Sequence, residues 1–302
     1  MINTLTLPLS NDSVAEFLLA LKQAGRSVCT LKGYRSDLVG FTAWFIETNG
    51  ERLSPDRITP TDLREYRSWL TTVRDLRPAT VNRSLAAIKS FLIWAGESGL
   101  CDGRTASKMP EAVREVRCGP RWLDRREQNA LRRAVEQGKN RRDEALVKFL
   151  INTGLRVQEL CDLTWRDVTM SERRGSLTVR HGKGDKRREV PLNCEAREAL
   201  RMLDDNDDRG DTHVFAGQRG PLTPRGVQSL LSKLITRQME RDGLEHLSPH
   251  MMRHTFCKNL VNAGVSLEKI ATLAGHESLE TTRRYIEPSH RDLEKAVELI
   301  GE

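Results

Sequence analysis

Paired cysteines, aromatic platforms and long apolar runs are what this sequence lacks. Its six cysteines (Cys29, Cys101, Cys118, Cys161, Cys194 and Cys257) are scattered, with no Cys-x-x-Cys spacing. That pattern excludes a zinc ribbon and a dense disulfide framework, and it points to a reducing, cytoplasmic compartment. Aromatic residues make up only 5% of the chain, too few for the stacked-ring surfaces that hold single-stranded bases. No apolar stretch approaches the roughly 20 residues that cross a bilayer, and the N-terminus shows no basic-then-apolar leader. Hence no membrane partner is expected. Internal repeats and low-complexity tracts are also missing.

What is present is charge. Lysine and arginine number 49 against 42 acidic residues, a formal net charge of +7, and the pI is about 9.2. Such a balance suits an anionic partner, of which nucleic acid is the commonest. A length of 302 residues is long for one core and comfortable for two domains.

The first hundred residues read as four amphipathic helices. Ser13 can cap the first, with Val14, Phe17, Leu18 and Leu21 on one face. Leu31, Tyr34, Leu38, Phe41 and Phe45 form the stripe of a second helix, which ends near Asn49-Gly50. Thr59-Pro60 with Asp62 gives the third a capping box. Pro78 opens the fourth, and Gly99 stops it. Short connections between such helices make a bundle, expected over residues 1–103. Lys32, Arg35, Arg77, Arg83 and Lys89 lie on its outward faces, either as a solvated surface or as a phosphate-contacting one. Residues 104–121 lose the periodicity and carry Arg104, Lys108, Arg114, Arg117 and Arg121 among Gly and Pro, as a basic linker would.

A second domain is expected over 122–302. A buried helix around Leu146 to Leu150 ends at Thr153-Gly154, and Arg156 stands at the start of the next, either as a cap of the preceding helix or for chemistry. Ser176–His181 and Arg188–Leu192 alternate about Gly182-Lys183-Gly184-Asp185, a hairpin with Lys183 at its tip. Residues 212–216 read as a third strand of that sheet. Ser248-Pro249 is an N-cap and N1 pair, which puts His250 in the first turn of a helix whose expected buried face is Met252, Phe256, Leu260 and Ala263. His250 and Arg253 neighbour each other on its surface. His254, four residues from His250, has the spacing of a metal pair, but neither His-Glu-x-x-His nor a third ligand accompanies it. Leu-Ala-Gly275-His276 ends another helix, and nine residues on stands Tyr285, preceded by Arg283 and Arg284.

Two arginines, a lysine, two imidazoles and a tyrosine share a natural target, a phosphodiester. Guanidinium forks hold non-bridging oxygens, a phenol can attack phosphorus once helped to lose its proton, and a lysine or imidazole can protonate the leaving oxygen. No carboxylate cluster suited to Mg²⁺ is evident, so neither cofactor nor metal is expected.

The segment Thr153-Gly-Leu-Arg156-Val-Gln-Glu159-Leu, the Gly-Lys183-Gly hairpin, His250-x-x-Arg253 and Leu-Ala-Gly-His276-x8-Tyr285 together resemble the tyrosine recombinases. That family includes the phage integrases and the Xer-type proteins, and the likeness covers essentially the whole chain. It implies a mainly α fold with a small antiparallel β-sheet. The chain would form a two-domain, C-shaped clamp, with a four-helix core-binding (SAM-like) domain and a mixed α/β catalytic domain. By the same resemblance Tyr285 attacks the scissile phosphate to give a 3′-phosphotyrosyl link, and Arg156 and Arg253 grip its oxygens. Lys183 is the general acid, His250 assists proton transfer at the tyrosine, His276 bonds the phosphate and Glu159 orients the site.

The implied partner is a duplex DNA core site with inverted-repeat arms, exchanged through a Holliday junction in a homotetramer. The C-terminal helix (Leu293, Ala296, Val297, Ile300) would dock in trans, and the resemblance admits a partner recombinase or an accessory DNA-bending protein. The compact length leaves no room for an extra arm-binding domain and suits a Xer-like or mobile-element recombinase. The other classes consistent with the fold are a non-catalytic DNA-binding accessory protein, which the complete catalytic set disfavours, and a type IB-like topoisomerase.

Overall fold

The computed structural model describes residues 12–114, 119–180, 187–203, 210–218, 220–241, 243–276, 278–286 and 297–298. The chain divides into two compact units, Met1–Arg117 and Cys118–Glu302. No helix among the described residues is long and apolar enough to cross a membrane.

The first unit is the bundle α1 (Asp12–Gln23), α2 (Val28–Asn49), α3 (Pro60–Thr72) and α4 (Pro78–Glu97). Its boundaries follow local chemistry. Ser27 accepts from the Thr30 amide at the start of α2, and Gly50, in the left-handed region at φ 68°, ends it. Thr59 and Asp62 form the reciprocal box that opens α3. Ser13 does not cap; α1 already begins at Asp12, leaving Ser13 in its first turn. The scarce aromatics are concentrated here: Phe17, Phe41, Phe45, Tyr66 and Phe91 are buried. Phe41 meets Tyr66 edge-on at 4.9 Å, a geometry favoured by the ring quadrupoles. A short 3₁₀ turn, Arg104–Lys108, lies within the segment read as a linker, and its Ala106 is buried in the bundle core.

The second unit begins with α5 (Arg125–Gln137), α6 (Arg141–Thr153) and α7 (Val157–Cys161). It continues through β1 (Val168–Met170), β2 (Gly175–Val179), β3 (Arg188–Pro191), α8 (Cys194–Arg201) and the short pair β4 (Ala216–Gly217) and β5 (Gly220–Pro221). The remaining helices are α9 (Pro224–Lys233), α10 (Arg237–Arg241), α11 (Pro249–Asn262), α12 (Leu267–Ala274) and α13 (Leu279–Arg283). The three-stranded sheet is antiparallel in the order β1-β2-β3, with Leu177 opposite Val190, both buried. Its third strand is β1 and not residues 212–216. That segment pairs instead with the loop after α7, where Val214 donates to the Leu163 carbonyl and the Trp165 amide donates to that of Thr212.

Helix α6 is the hub, packed against α5, α8 and α11, with Leu146, Phe149 and Leu150 fully buried. Helix α11 runs through the interior. Met251, Met252, Arg253, Thr255, Phe256, Cys257 and Lys258 are all buried, so it has no simple apolar stripe. Ala263, expected on its buried face, is exposed, because the helix ends at Asn262. Ser248 caps it as expected, accepting from the Met251 amide.

Gly154 closes α6 at φ 60° and presses directly on the Phe256 ring of α11, where a Cβ would overlap the ring carbons. Replacing it with alanine imposes both a left-handed strain and an overpacking clash, which together lower stability by about 2–4 kcal/mol. Urea unfolding of Gly154→Ala checks this; a change below about 0.5 kcal/mol, the range of surface substitutions, would contradict the packing.

Candidate active site

Two left-handed glycine corners build the site. Gly154 turns the chain out of α6, and after the buried Leu155 it sets Arg156, in extended conformation, as the N-cap of α7. Gly275, at φ 66°, turns the chain out of α12. A helix end leaves its last carbonyls without intrahelical donors, and here guanidinium groups supply them. Arg188 Nε donates to the Leu273 carbonyl at 3.2 Å, an Nη of Arg253 donates to that of Ala274, and Arg156 Nη2 donates to that of Gly275 at 2.5 Å. Arg253 reaches the other corner too, with Nη1 2.6 Å from the Gly154 carbonyl. Cations at a helix C-terminus also complement its dipole.

Glu159 joins the same cluster from one turn along α7. Its carboxylate accepts from the Arg156 amide at 2.8 Å and from Arg156 Nη1 at 2.8 Å. It also takes a two-pronged grip from Arg188, at 2.8 and 2.7 Å. Burial works against this carboxylate, yet the Arg188 and Arg156 hydrogen bonds hold it below the usual range. Arg156 therefore serves Glu159 and the Gly275 turn, and it does not cap α6. Among the described residues of this cluster, three guanidinium groups meet one carboxylate, a surplus of positive charge. Burial and the neighbouring Arg156 lower Arg253 to about 10.

Tyr285 lies just past α13 and is 2% exposed, in a small core with Phe256, Cys257, Ile270 and Ala274. Its hydroxyl is 2.6 Å from His254 Nδ1. The His276 ring lies nearly parallel to the phenol, centroids 6.2 Å apart, and is oriented by a 2.8 Å contact between Nδ1 and the Thr282 hydroxyl. The Tyr285 carbonyl accepts from Lys258 at 3.2 Å. Burial, with Cys257 alongside, pushes the phenol above its ordinary value. Burial and adjacent positive charge push both imidazoles down to about 4, with His250 and Arg253 acting on His254 and Arg253 and Arg156 on His276.

Thus the structure brings together Arg156, Glu159, Arg253, His276 and Tyr285 from the residues singled out in the sequence. His250 is exposed, its ring 6.4 Å from that of His254, and it is His254 that touches the phenol. Lys183 and Arg117 lie outside the described residues. Lys32, Arg35, Arg77 and Lys89 are exposed on the first unit, whereas Arg83 also binds the buried Asp37 at 2.5 Å. Arg121 is tied to Glu127 at the start of α5. Sequence reasoning missed Arg188 and set His254 aside. Arg188 shares strand parity with the buried Val190, an arginine on the inward side, and that was the available signal.

The imidazole shifts set a pH dependence. Both folded values lie below the ordinary 6.5, so the unfolded chain takes up these protons first. Stability is full above about pH 6.5 and declines as the pH falls toward 4. His276→Gln removes one contributor, and urea unfolding across this range should show a shallower decline than in the parent chain. Parallel curves would contradict the buried, neutral imidazole.

Comparison with known proteins bears on the whole chain. Residues 121–291 match the family model described as "Phage integrase family", and residues 14–99 match "Phage integrase, N-terminal SAM-like domain". A tyrosine recombinase XerC of Corynebacterium efficiens is 33% identical over 90% of this chain and 85% of its own length. One from Xanthomonas campestris pv. campestris is 32% identical over 94% and 86%. Among solved structures, the Tn1549 transposon integrase in complex with circular intermediate DNA shares the fold with a TM-score of 0.72, at 19% identity, covering 94% of this chain and 98% of that one. The XerH recombinase bound to a palindromic difH substrate does so with a TM-score of 0.70, at 21% identity, covering 96% and 85%. Matched over its larger unit by the family model, and a third identical to relatives along most of its length, the chain belongs to the phage integrase family of tyrosine recombinases.

Proposed function

We propose that this chain is a Xer-like site-specific recombinase that cleaves and rejoins duplex DNA with Tyr285 as nucleophile. The observation that carries the reading is the placement of Tyr285 between two imidazoles, beside a guanidinium cluster with surplus positive charge. A scissile phosphodiester is the anion that such a field receives. Arg156 and Arg253 hold its non-bridging oxygens and stabilise the charge that builds on them at the transition state. The phenol oxygen bonds to phosphorus while the bond to the 5′-oxygen breaks. The phenol proton passes to an imidazole, His250 or His254, and the departing 5′-oxygen takes a proton from Lys183. A 3′-phosphotyrosyl link remains and preserves the bond energy, so attack by a 5′-hydroxyl reverses the step without ATP. His276 donates to the phosphate, and Glu159 fixes Arg156.

The buried, protonated phenol describes a resting site. Attack requires the turn bearing Tyr285 to present its hydroxyl to DNA, which fits an enzyme that acts only in an assembled complex. The partner is a duplex core site with inverted-repeat arms, bound by four copies, and Lys32, Arg35, Arg77 and Lys89 contact its phosphates. Residues 1–103 act as the core-binding domain, 104–121 as the basic linker and 122–302 as the catalytic domain.

A pool of nicked duplexes with randomised arms, from which the cut fragment diffuses away, tests this. Incubation should leave an adduct stable in detergent, Tyr285→Phe should abolish it, and Arg156→Ala should slow it by about 100–1,000-fold, as expected for loss of a transition-state donor. An undiminished adduct with Tyr285→Phe would refute the assignment.

A further inference from the structure

We infer that Arg188 is a positioning residue of the phosphate site, acting by saturating Glu159 so that Arg156 keeps an edge of its guanidinium for the DNA phosphate. The inference rests on the reading that Arg156 grips that phosphate. Arg188 stands at the start of β3, opposite Val179, and its side chain is 12% exposed. Both of its terminal nitrogens are engaged by Glu159 and its Nε by the Leu273 carbonyl. It is therefore occupied on every nitrogen and acts through its neighbours.

The geometry explains what those neighbours gain. An arginine and a carboxylate left to themselves close a two-pronged pair that occupies one whole edge of the guanidinium. Glu159 has a side chain only 3% exposed, so little water competes for it. Arg188 takes both of its oxygens, and Arg156 is left with a single contact from Nη1. The other terminal nitrogen, Nη2, stays on the Gly275 carbonyl, and Arg156 is held open rather than folded onto the carboxylate.

Arg188 also packs against the Gly275 turn itself. Its guanidinium fills the space a side chain at position 275 would need, with Nη1 2.8 Å, Cζ 2.9 Å and Nε 3.0 Å from the site of a Cβ. Gly275 is thus required twice, for its left-handed φ and for the room Arg188 occupies. One side chain on the sheet thereby sets the carboxylate that orients Arg156 and buttresses the turn that leads to His276.

The test uses the full chain and the nicked duplex recovered from the randomised pool. Arg188→Met should slow single-turnover cleavage at saturating DNA by about 10–100-fold, with DNA affinity within threefold of the parent chain. The rate should also acquire an acid limb that the parent chain lacks, because Glu159 is then protonated more readily, and adding Glu159→Gln should remove that limb and recover part of the rate. A merely structural role would slow cleavage without a limb that depends on Glu159. Arg188→Lys keeps a buried cation but not the fork; it should show a smaller slowing and the same limb, and it carries the test if the methionine variant fails to fold. Cleavage at the parental rate with an unchanged pH profile, in a folded variant, would overturn the inference. Parental cleavage by Arg156→Ala would instead overturn the phosphate-grip reading beneath it.

Discussion

One buried carboxylate, Glu159, shared between Arg156 and Arg188 below the open end of α12, is the interaction on which the catalytic half of this molecule depends. Three guanidinium groups close together would repel one another and pay heavily in lost hydration if nothing met them. Here they are met by consecutive carbonyls of residues 273 to 275 and by that single carboxylate. The compensation is incomplete in charge, since a single carboxylate faces three cations. Such an arrangement is stable without a ligand and still favours an anion, which is the property a phosphate site requires. Burial, reinforced by the same field, keeps the neighbouring imidazoles neutral, and burial keeps the phenol protonated.

The fold delivers these groups from far apart in the chain. Arg156 and Glu159 come from the start of α7, Arg188 from the sheet, Arg253 from the middle of α11, and the accepting carbonyls from α12. Helix α11 can carry a buried arginine because its neighbours on both sides are the glycine corners whose carbonyls receive it. An apolar helix in its place would pack as well and bind nothing. The price in simple amphipathicity is visible in its sequence, where polar and apolar residues alternate without a clean stripe.

Much of this was legible in the residues. Capping at Thr59 and Ser248, the glycine stops at 50, 154 and 275, and the grouping of Arg156, Arg253, His276 and Tyr285 all rest on local rules or on a motif, and local rules survive folding. The exceptions depend on tertiary pairing. Residues 212–216 carry strand-like composition, but which edge they meet is decided by the loop after α7, not by their own propensity. Arg188 looks like any charged strand residue until its inward parity is set against Val190. His254 reads as half of a metal pair by spacing, whereas only the return of the chain through α13 places a phenol beside it. Ala263 falls on the expected apolar face, one residue beyond the helix end, where periodicity no longer applies.

The central claim is that Arg156 and Arg253 receive the phosphate while Arg188 remains on Glu159. A crystal structure of the Tyr285→Phe variant with its nicked duplex tests it most directly. The account predicts non-bridging oxygens of the scissile phosphate within hydrogen-bonding distance of both Arg156 and Arg253, with the Arg188–Glu159 fork intact. A phosphate held away from these two arginines, or Arg188 released from Glu159 to bind it, would contradict the account.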